Sequence, residues 1–360
     1  RVLSTTDYTD NADGKKIKAV TTNNTNNTNK VKEKNHNGLP DILKHAEHVD
    51  LPGLDRNEVI ELKMAGDKDE ALYRMLLVAQ CNALHKAMPF LFEQINHETE
   101  LLLSENLLHS DSVIRKMVNE VPEGEWREVE IIGWLYQFYI SEKKDEVFEG
   151  LKKNKKITPE NIPAATQLFT PHWIVRYLVE NSLGRLWMLN RPNSRLINKM
   201  DYYIKPEEQE TEFLKIHSPE EIKICDPACG SGHMLVYAFD LLYSIYEEQG
   251  YKSSEIPQKI LEYNLYGIEI DERAGALSAF ALAMKAREKD RRFFQRKNAN
   301  GKQVEPNIYV LQNIRFDKDE LTNYMDFVGR DLFTLPLQTT LHQFKEANNF
   351  GSLIRPDVKD

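Results

Sequence analysis

Cysteine is scarce in this 360-residue chain, with only Cys81, Cys225 and Cys229. So small a set makes no disulfide framework, and the default is a reducing, cytoplasmic setting. Cys225 and Cys229 stand close together, but no further Cys or His gathers near them, so no metal site is expected. His45 and His48 likewise lack a third ligand. Long apolar runs are also missing: no stretch reaches 18 consecutive apolar residues, which argues against a transmembrane helix, and no signal peptide is visible. Net positive charge is absent as well. Lys and Arg number 47 against 56 Asp and Glu, for a net charge of -9. A domain that grips DNA alone is usually basic, so this chain does not read as the main DNA-holding surface. What it does have is 41% hydrophobic and 29% charged residues, a balance that supports a globular protein with a sizeable core.

The chain divides by pattern. Residues 1–40 read as irregular, with an Asn/Thr tract from Thr21 to Asn29 that has little to bury. Residues 41–152 read as a helical subdomain: Leu72, Leu76, Ala79 and Ala83 recur at helical spacing, as do Val129, Ile132, Tyr136 and Tyr139. Its default role is scaffolding. Residues 153–168, with Pro159 and Pro163, form a linker. From 169 to 316, strand and helix signals alternate. Glu221–Cys225, Leu265–Ile268 and Asn307–Leu311 are predicted strands, with helices over 233–246 and 274–287 between them. That order predicts an open α/β sheet with helices on both faces. Residues 317–360 hold Phe327, Phe333, Phe344 and Phe350 but no clear period, and stay unassigned.

Three motifs carry chemistry. Asp226-Pro-Ala-Cys-Gly-Ser-Gly-His233 follows a strand and opens a helix. Gly230 and Gly232 permit positive φ and close approach of a ligand to the backbone, and the helix start offers free N–H groups and a positive dipole end. Asp226 can accept from a ligand amine. Tyr266-Gly-Ile-Glu-Ile-Asp271 then closes the second strand with Glu269, where an acid can take two ribose hydroxyls. Phe169-Thr-Pro171 precedes a helix predicted over 174–186, with Thr170 as N-cap, Pro171 at the first position, and Val175, Val179, Leu183 and Leu186 on one apolar face.

The order of these motifs resembles the amino-adenine DNA methyltransferases whose cofactor motifs precede the catalytic one. The longer stretches AEHVDLPGLD, EIIGWLYQFYISEKKDEVFEGL and AATQLFTPHWIVRYLVENSLGRLWM are similar to the PglX family, the adenine-specific methyltransferases of the BREX phage-defence systems. The likeness runs from about Leu39 to Asn313. It implies a Rossmann-like α/β methyltransferase core behind the helical subdomain, with S-adenosylmethionine as cofactor. It further implies that Thr170, Asp226, Gly230 and Gly232 flank the methionine end, Glu269 binds ribose, Ile270 packs on adenine, and Gln312 or Asn313 meets the adenine amine. The full cofactor-binding set is Phe169, Thr170, Pro171, Asp226, Pro227, Ala228, Cys229, Gly230, Gly232, His233, Glu269, Ile270, Asp271 and Asn313. Partners implied are double-stranded DNA, reached through the intact protein, and other defence-system proteins, with no membrane and no metal.

The family's catalytic signature, Asn/Asp-Pro-Pro-Tyr/Phe, does not occur in this sequence. In the family it binds the amine of a flipped adenine and stacks on the base. Family members are much longer, and this chain opens at Arg1 rather than Met. The expectation is therefore a truncated core with no catalytic residue in this chain, inactive alone. Cys229 lies inside the cofactor loop with no base to activate it and does not read as a nucleophile. A basic stretch from Lys285 to Lys302 surrounds Phe293 and Phe294. Either the arginines hold a nucleic-acid backbone, or the segment is a solvated helix end with two ring anchors. Two other readings stay open: a type I or fused restriction-modification methylase, and a non-catalytic cofactor-binding scaffold of a defence complex.

Overall fold

The computed structural model describes residues 40–313, apart from 123, 125, 127–130 and 209, and beyond them 317, 319, 320, 323, 326, 327 and 340–356. The expected irregular segment 1–40, except Pro40, and most of 317–339 lie outside the described residues.

The first part is helical. Helix α1 (Arg56–Ala65) starts where the Asp55 carboxylate accepts from the Asn57 N–H at 2.8 Å, and it stops at Gly66, whose φ of 73° only glycine adopts freely. Helix α2 (Asp69–Ala87) buries Leu72, Leu76 and Ala79, three of the residues whose spacing predicted it. With Val59 of α1, and with Leu43 and Ala46 upstream, Leu72 and Leu76 close a small apolar cluster of their own. The Glu70 carboxylate accepts from the Leu107 and Leu108 N–H groups at 2.5 and 3.0 Å and fastens the following loop to α2. Helix α3 (Val113–Glu120) is capped by Ser112, and α4 (Ile131–Lys152) follows. Among the described residues, no helix is long and apolar enough to cross a membrane.

After the linker, helix α5 (His172–Val179) runs through a π turn (Glu180–Gly184) into α6 (Arg185–Asn190). Two details differ from the predicted helix. Pro171, at φ -53° and ψ 141°, takes the cap position in place of Thr170, with no side-chain cap. The π turn widens the helix, and the apolar stripe Val175, Val179, Leu183 continues to the fully buried Trp187, leaving Leu186 only partly buried. Glu180, at the start of that turn, has no exposed surface. It is held by the Tyr237 hydroxyl at 2.6 Å, Arg176 Nε at 3.2 Å and the Tyr202 N–H at 2.5 Å, which satisfies a charge that burial would otherwise penalise.

Three parallel strands form a sheet in the order β1 (Ile224–Asp226), β2 (Leu265–Glu269), β3 (Asn307–Val310), with Asp226 opposite Gly267 and Glu269 opposite Val310. The first strand is shorter than predicted because Pro219–Glu221 turns in a 3₁₀ helix before it. Helix α7 (His233–Glu248) crosses from β1 to β2, and α8 (Glu272–Lys289) from β2 to β3. Helix α7 is apolar almost all round and buries eight side chains, including Phe239, Leu242 and Tyr246. Each large apolar side chain so buried contributes about 1.5–3 kcal/mol. Small residues on α8 let it lie close to the sheet: a Cβ at Gly275 would fall 2.6 Å from Val310.

Against the expectation of helices on both faces, the two described crossover helices lie on one. Helices α7 and α8 pack on each other as well as on β2, so they share one face. Two crossovers that step the same way along a sheet with one hand must lie on the same side. The outer face shows in the burial alternation, where Leu265, Gly267 and Glu269 are buried, Tyr266 and Ile268 are only partly so, and Tyr309 is 56% exposed.

Candidate functional site

The site lies at the carboxyl ends of β1 and β2, where parallel sheets commonly place ligands. Asp226 ends β1 and the chain turns at once through Pro227–Gly232 into α7. Gly230 and Gly232 take φ of 54° and 88°, which make that turn possible. Gly232 also passes so near α8 that a Cβ there would sit 2.5 Å from the Ser278 hydroxyl.

Glu269 ends β2 and is 7% exposed. One carboxylate oxygen accepts from the Gly230 N–H at 2.6 Å, and the other from the Ile270 and Asp271 N–H groups at 2.9 and 3.0 Å. With the Cys229 N–H donating to the Ile268 carbonyl at 3.0 Å, the glycine-rich loop is tied to the end of the neighbouring strand. The two motifs, far apart in sequence, form one structure.

Asp226 is less satisfied. One oxygen accepts from the Ala228 N–H at 3.1 Å, and the other receives no hydrogen bond from the described residues. Burial pushes its pKa above the usual aspartate range. Beside it, α7 follows Gly232 as its cap residue with no side-chain cap, so the positive end of a 16-residue helix faces this corner. A carboxylate short of partners next to the start of a long helix suits a ligand carrying both an amine and a carboxylate.

A cavity of about 500 Å³ occupies this corner, within the range of about 300–1,000 Å³ typical of small-molecule sites. Of the sequence-derived set, Phe169, Thr170, Asp226, Pro227, Ala228, Cys229, Gly230, His233, Glu269 and Ile270 border it. The Phe169 ring meets the His233 ring edge-on, centroids 4.5 Å apart, which joins the Phe-Thr-Pro element to the glycine-rich turn. Pro171, Gly232, Asp271 and Asn313 do not border the cavity. Pro171 and Gly232 start helices, and Asn313, like Gln312, is exposed after β3. Asp271 is committed to protein groups. Its Oδ1 accepts from the Arg273 and Ala274 N–H groups at 2.8 and 3.2 Å as the cap of α8, and its Oδ2 accepts from Tyr136 and Gln167. Cys229 is buried, and burial, aided by the charge of Glu269, pushes its thiol up to about 12, so it stays a neutral thiol. Among the described residues, no group of three His, Cys, Asp or Glu is placed to hold a metal.

Other residues border the cavity that no motif announced. Tyr136 comes from α4, Gln167 from the linker, and Phe350 from the previously unassigned end of the chain, where Gly351 abuts Ile270. Their local sequence carries only helical spacing or an isolated ring; what brings them here is the docking of distant elements. The basic stretch lies elsewhere. Phe293 is buried in the main core and Phe294 packs against it, while Arg296 pairs with Asp290 at 2.8 Å. These rings act as anchors just past the end of α8 opposite the cavity.

Residues 205–315, which contain all three strands and both acids, match the family model described as MmeI, DNA-methyltransferase domain. The chain is 46% identical over 331 residues to adenine-specific methyltransferase BrxX of Escherichia coli O9:H4 (strain HS), a stretch covering 84% of this chain and 27% of that protein. It is 37% identical over 341 residues to adenine-specific methyltransferase PglX of Lacticaseibacillus casei (strain Zhang), covering 88% and 27% respectively. The chain thus spans about a quarter of the length of the curated relatives it matches. A small parallel sheet within a stretch that matches a methyltransferase domain, together with kinship of this extent to both proteins, fits a PglX-type BREX methyltransferase.

Proposed function

We propose that this chain is the S-adenosylmethionine-binding portion of a site-specific DNA adenine N6-methyltransferase of a bacterial phage-defence system, working in the cytoplasm as part of a longer protein. The observation that carries the reading is the pair of strand-end acids, Asp226 and Glu269, facing one cavity across a glycine-rich turn that opens a long helix. The sheet would then be the first half of a Rossmann-like methyltransferase core spanning 169–316, behind a helical region 41–152 and a linker 153–168.

Within that core each residue has a task that follows from its setting. Asp226, with one oxygen lacking a hydrogen bond from the described residues, would hold the amine of the methionine end, and the uncapped start of α7 its carboxylate. Glu269 uses one lone pair of Oε2 on Gly230 and keeps another for a ribose hydroxyl. Ile270 offers an apolar wall for adenine. When bound, the cofactor supplies an electrophilic methyl group on a sulfonium. Duplex DNA and other defence proteins would be engaged by the intact protein, whose relatives carry most of their length outside the matched stretch. The test is calorimetric titration of the chain with S-adenosylmethionine beside an Asp226→Ala, Glu269→Ala double variant. Binding by the parent chain and none by a folded double variant is expected; no binding by the folded parent chain would refute the reading.

A further inference from the structure

Helix α4 meets the residues around the cavity through Gly133, Tyr136 and Tyr139, and of these Tyr136 borders the cavity itself. Gly133, in the first turn of α4, is buried against the glycine-rich loop and the Phe-Thr-Pro element: a Cβ there would lie 3.0 Å from the Ser231 hydroxyl and 3.1 Å from the Phe169 ring. One turn on, Tyr136 borders the cavity and donates its hydroxyl to Asp271 at 2.7 Å, and the same oxygen accepts from Gln167 of the linker at 3.0 Å. Tyr139 stacks beside Tyr136 and accepts from Arg273 at 3.2 Å. Asp271 is the residue through which this grip reaches the ligand side. Its other oxygen caps α8, and its own N–H binds Glu269.

We infer that α4, which lies outside the stretch matching the methyltransferase family model, is built into the cofactor site, and that Gly133, Tyr136 and Gln167 are positioning residues that set the glycine-rich loop and the Glu269–Asp271 corner. The inference rests on the cofactor reading proposed above. Burial and the Asp271 carboxylate push the Tyr136 hydroxyl up to about 12, so it remains a donor across the physiological range. A helix that merely scaffolds would gain from Gly133→Ala, because alanine is the better helix former. A helix pressed on the loop takes that methyl only if the Ser231 hydroxyl and the Phe169 ring give way by a few tenths of an ångström.

The 360-residue chain is titrated with S-adenosylmethionine, well below its melting temperature, as the parent, Gly133→Ala, Tyr136→Phe with Gln167→Met, and Glu269→Ala, each melted in parallel. A trypsin time course at the exposed Lys152, which ends α4, and at the exposed linker lysines Lys153, Lys155 and Lys156, with and without cofactor, gives a second readout. The expected result is affinity about tenfold weaker in the Tyr136→Phe, Gln167→Met variant, whose Asp271 oxygen has lost both donors. Gly133→Ala is expected to bind about threefold or more weakly, by the same order of hydrogen-bond loss in a displaced loop, without melting lower. Cofactor should slow linker cleavage in the parent more than in the variants. Variants that bind as the parent does, while Glu269→Ala loses binding, overturn this inference and leave the cofactor reading standing. A folded parent that does not bind overturns both.

Discussion

Asp226 ends β1 as a half-buried carboxylate with one hydrogen bond from the described residues, that of the Ala228 N–H. Burial raises its pKa, so the folded chain binds a proton there more readily than the unfolded chain, whose aspartate titrates near about 3.9. The cost of the charge is therefore fully present above the raised pKa and disappears as pH falls below the unfolded value. Asp226→Asn should raise the melting temperature of the ligand-free chain at neutral pH while weakening S-adenosylmethionine binding. Parent affinity should fall as pH is lowered through the raised pKa, because only the ionised group attracts an amine. Melting curves and a pH series of titrations check both signs; an Asn variant that melts lower would show that the carboxylate is stabilising instead. The cysteines differ in the same way. Cys225 is exposed and Cys229 buried, so a thiol reagent should label Cys225 first, as peptide mapping would reveal.

At the scale of elements, the loop from β1 to α7 depends on Gly232. It combines a φ of 88° with contact against Ser278, so Gly232→Ala adds backbone strain to a steric clash. The expected cost is at least about 1–3 kcal/mol, read from the urea midpoint. Elements with strong local pattern were legible in the sequence. Helix α2 follows its Leu72–Leu76–Ala79 stripe, α7 its run of apolar residues closed by Gly250 at φ 81°, and β2 and β3 begin at the predicted Leu265 and Asn307. Less legible were features set by neighbours. The π turn after Val179 accompanies the buried Glu180 and its partners, and the cap shift at Pro171 reflects the docking of Phe169 on His233.

Among the described residues there are two apolar clusters, one among the first helices and one around α6, α7 and the sheet. Leu76 is fully buried in the first, far in sequence from the motifs, and Leu76→Ala should cost that cluster about 2–5 kcal/mol. Cofactor affinity should stay unchanged at temperatures where the variant is folded; a parallel loss of affinity would mean that the first helices, and not α4 alone, support the site. Ten of the fourteen candidate site residues border the cavity, and that much follows from local chemistry. A strand end, two glycines and a helix start must lie together because the chain has no length to separate them, and an acid ending the next strand is brought alongside by parallel pairing. Sequence alone thus determined the motifs, their order and most of the helices. Only the tertiary structure decided that α7 and α8 share a face, that Asp271 serves the protein, and that Tyr136 and Gln167 close the corner around it. The two outcomes at Asp271 depend on contacts across 135 and 104 residues of chain, and such contacts leave no periodic trace in the segments that make them.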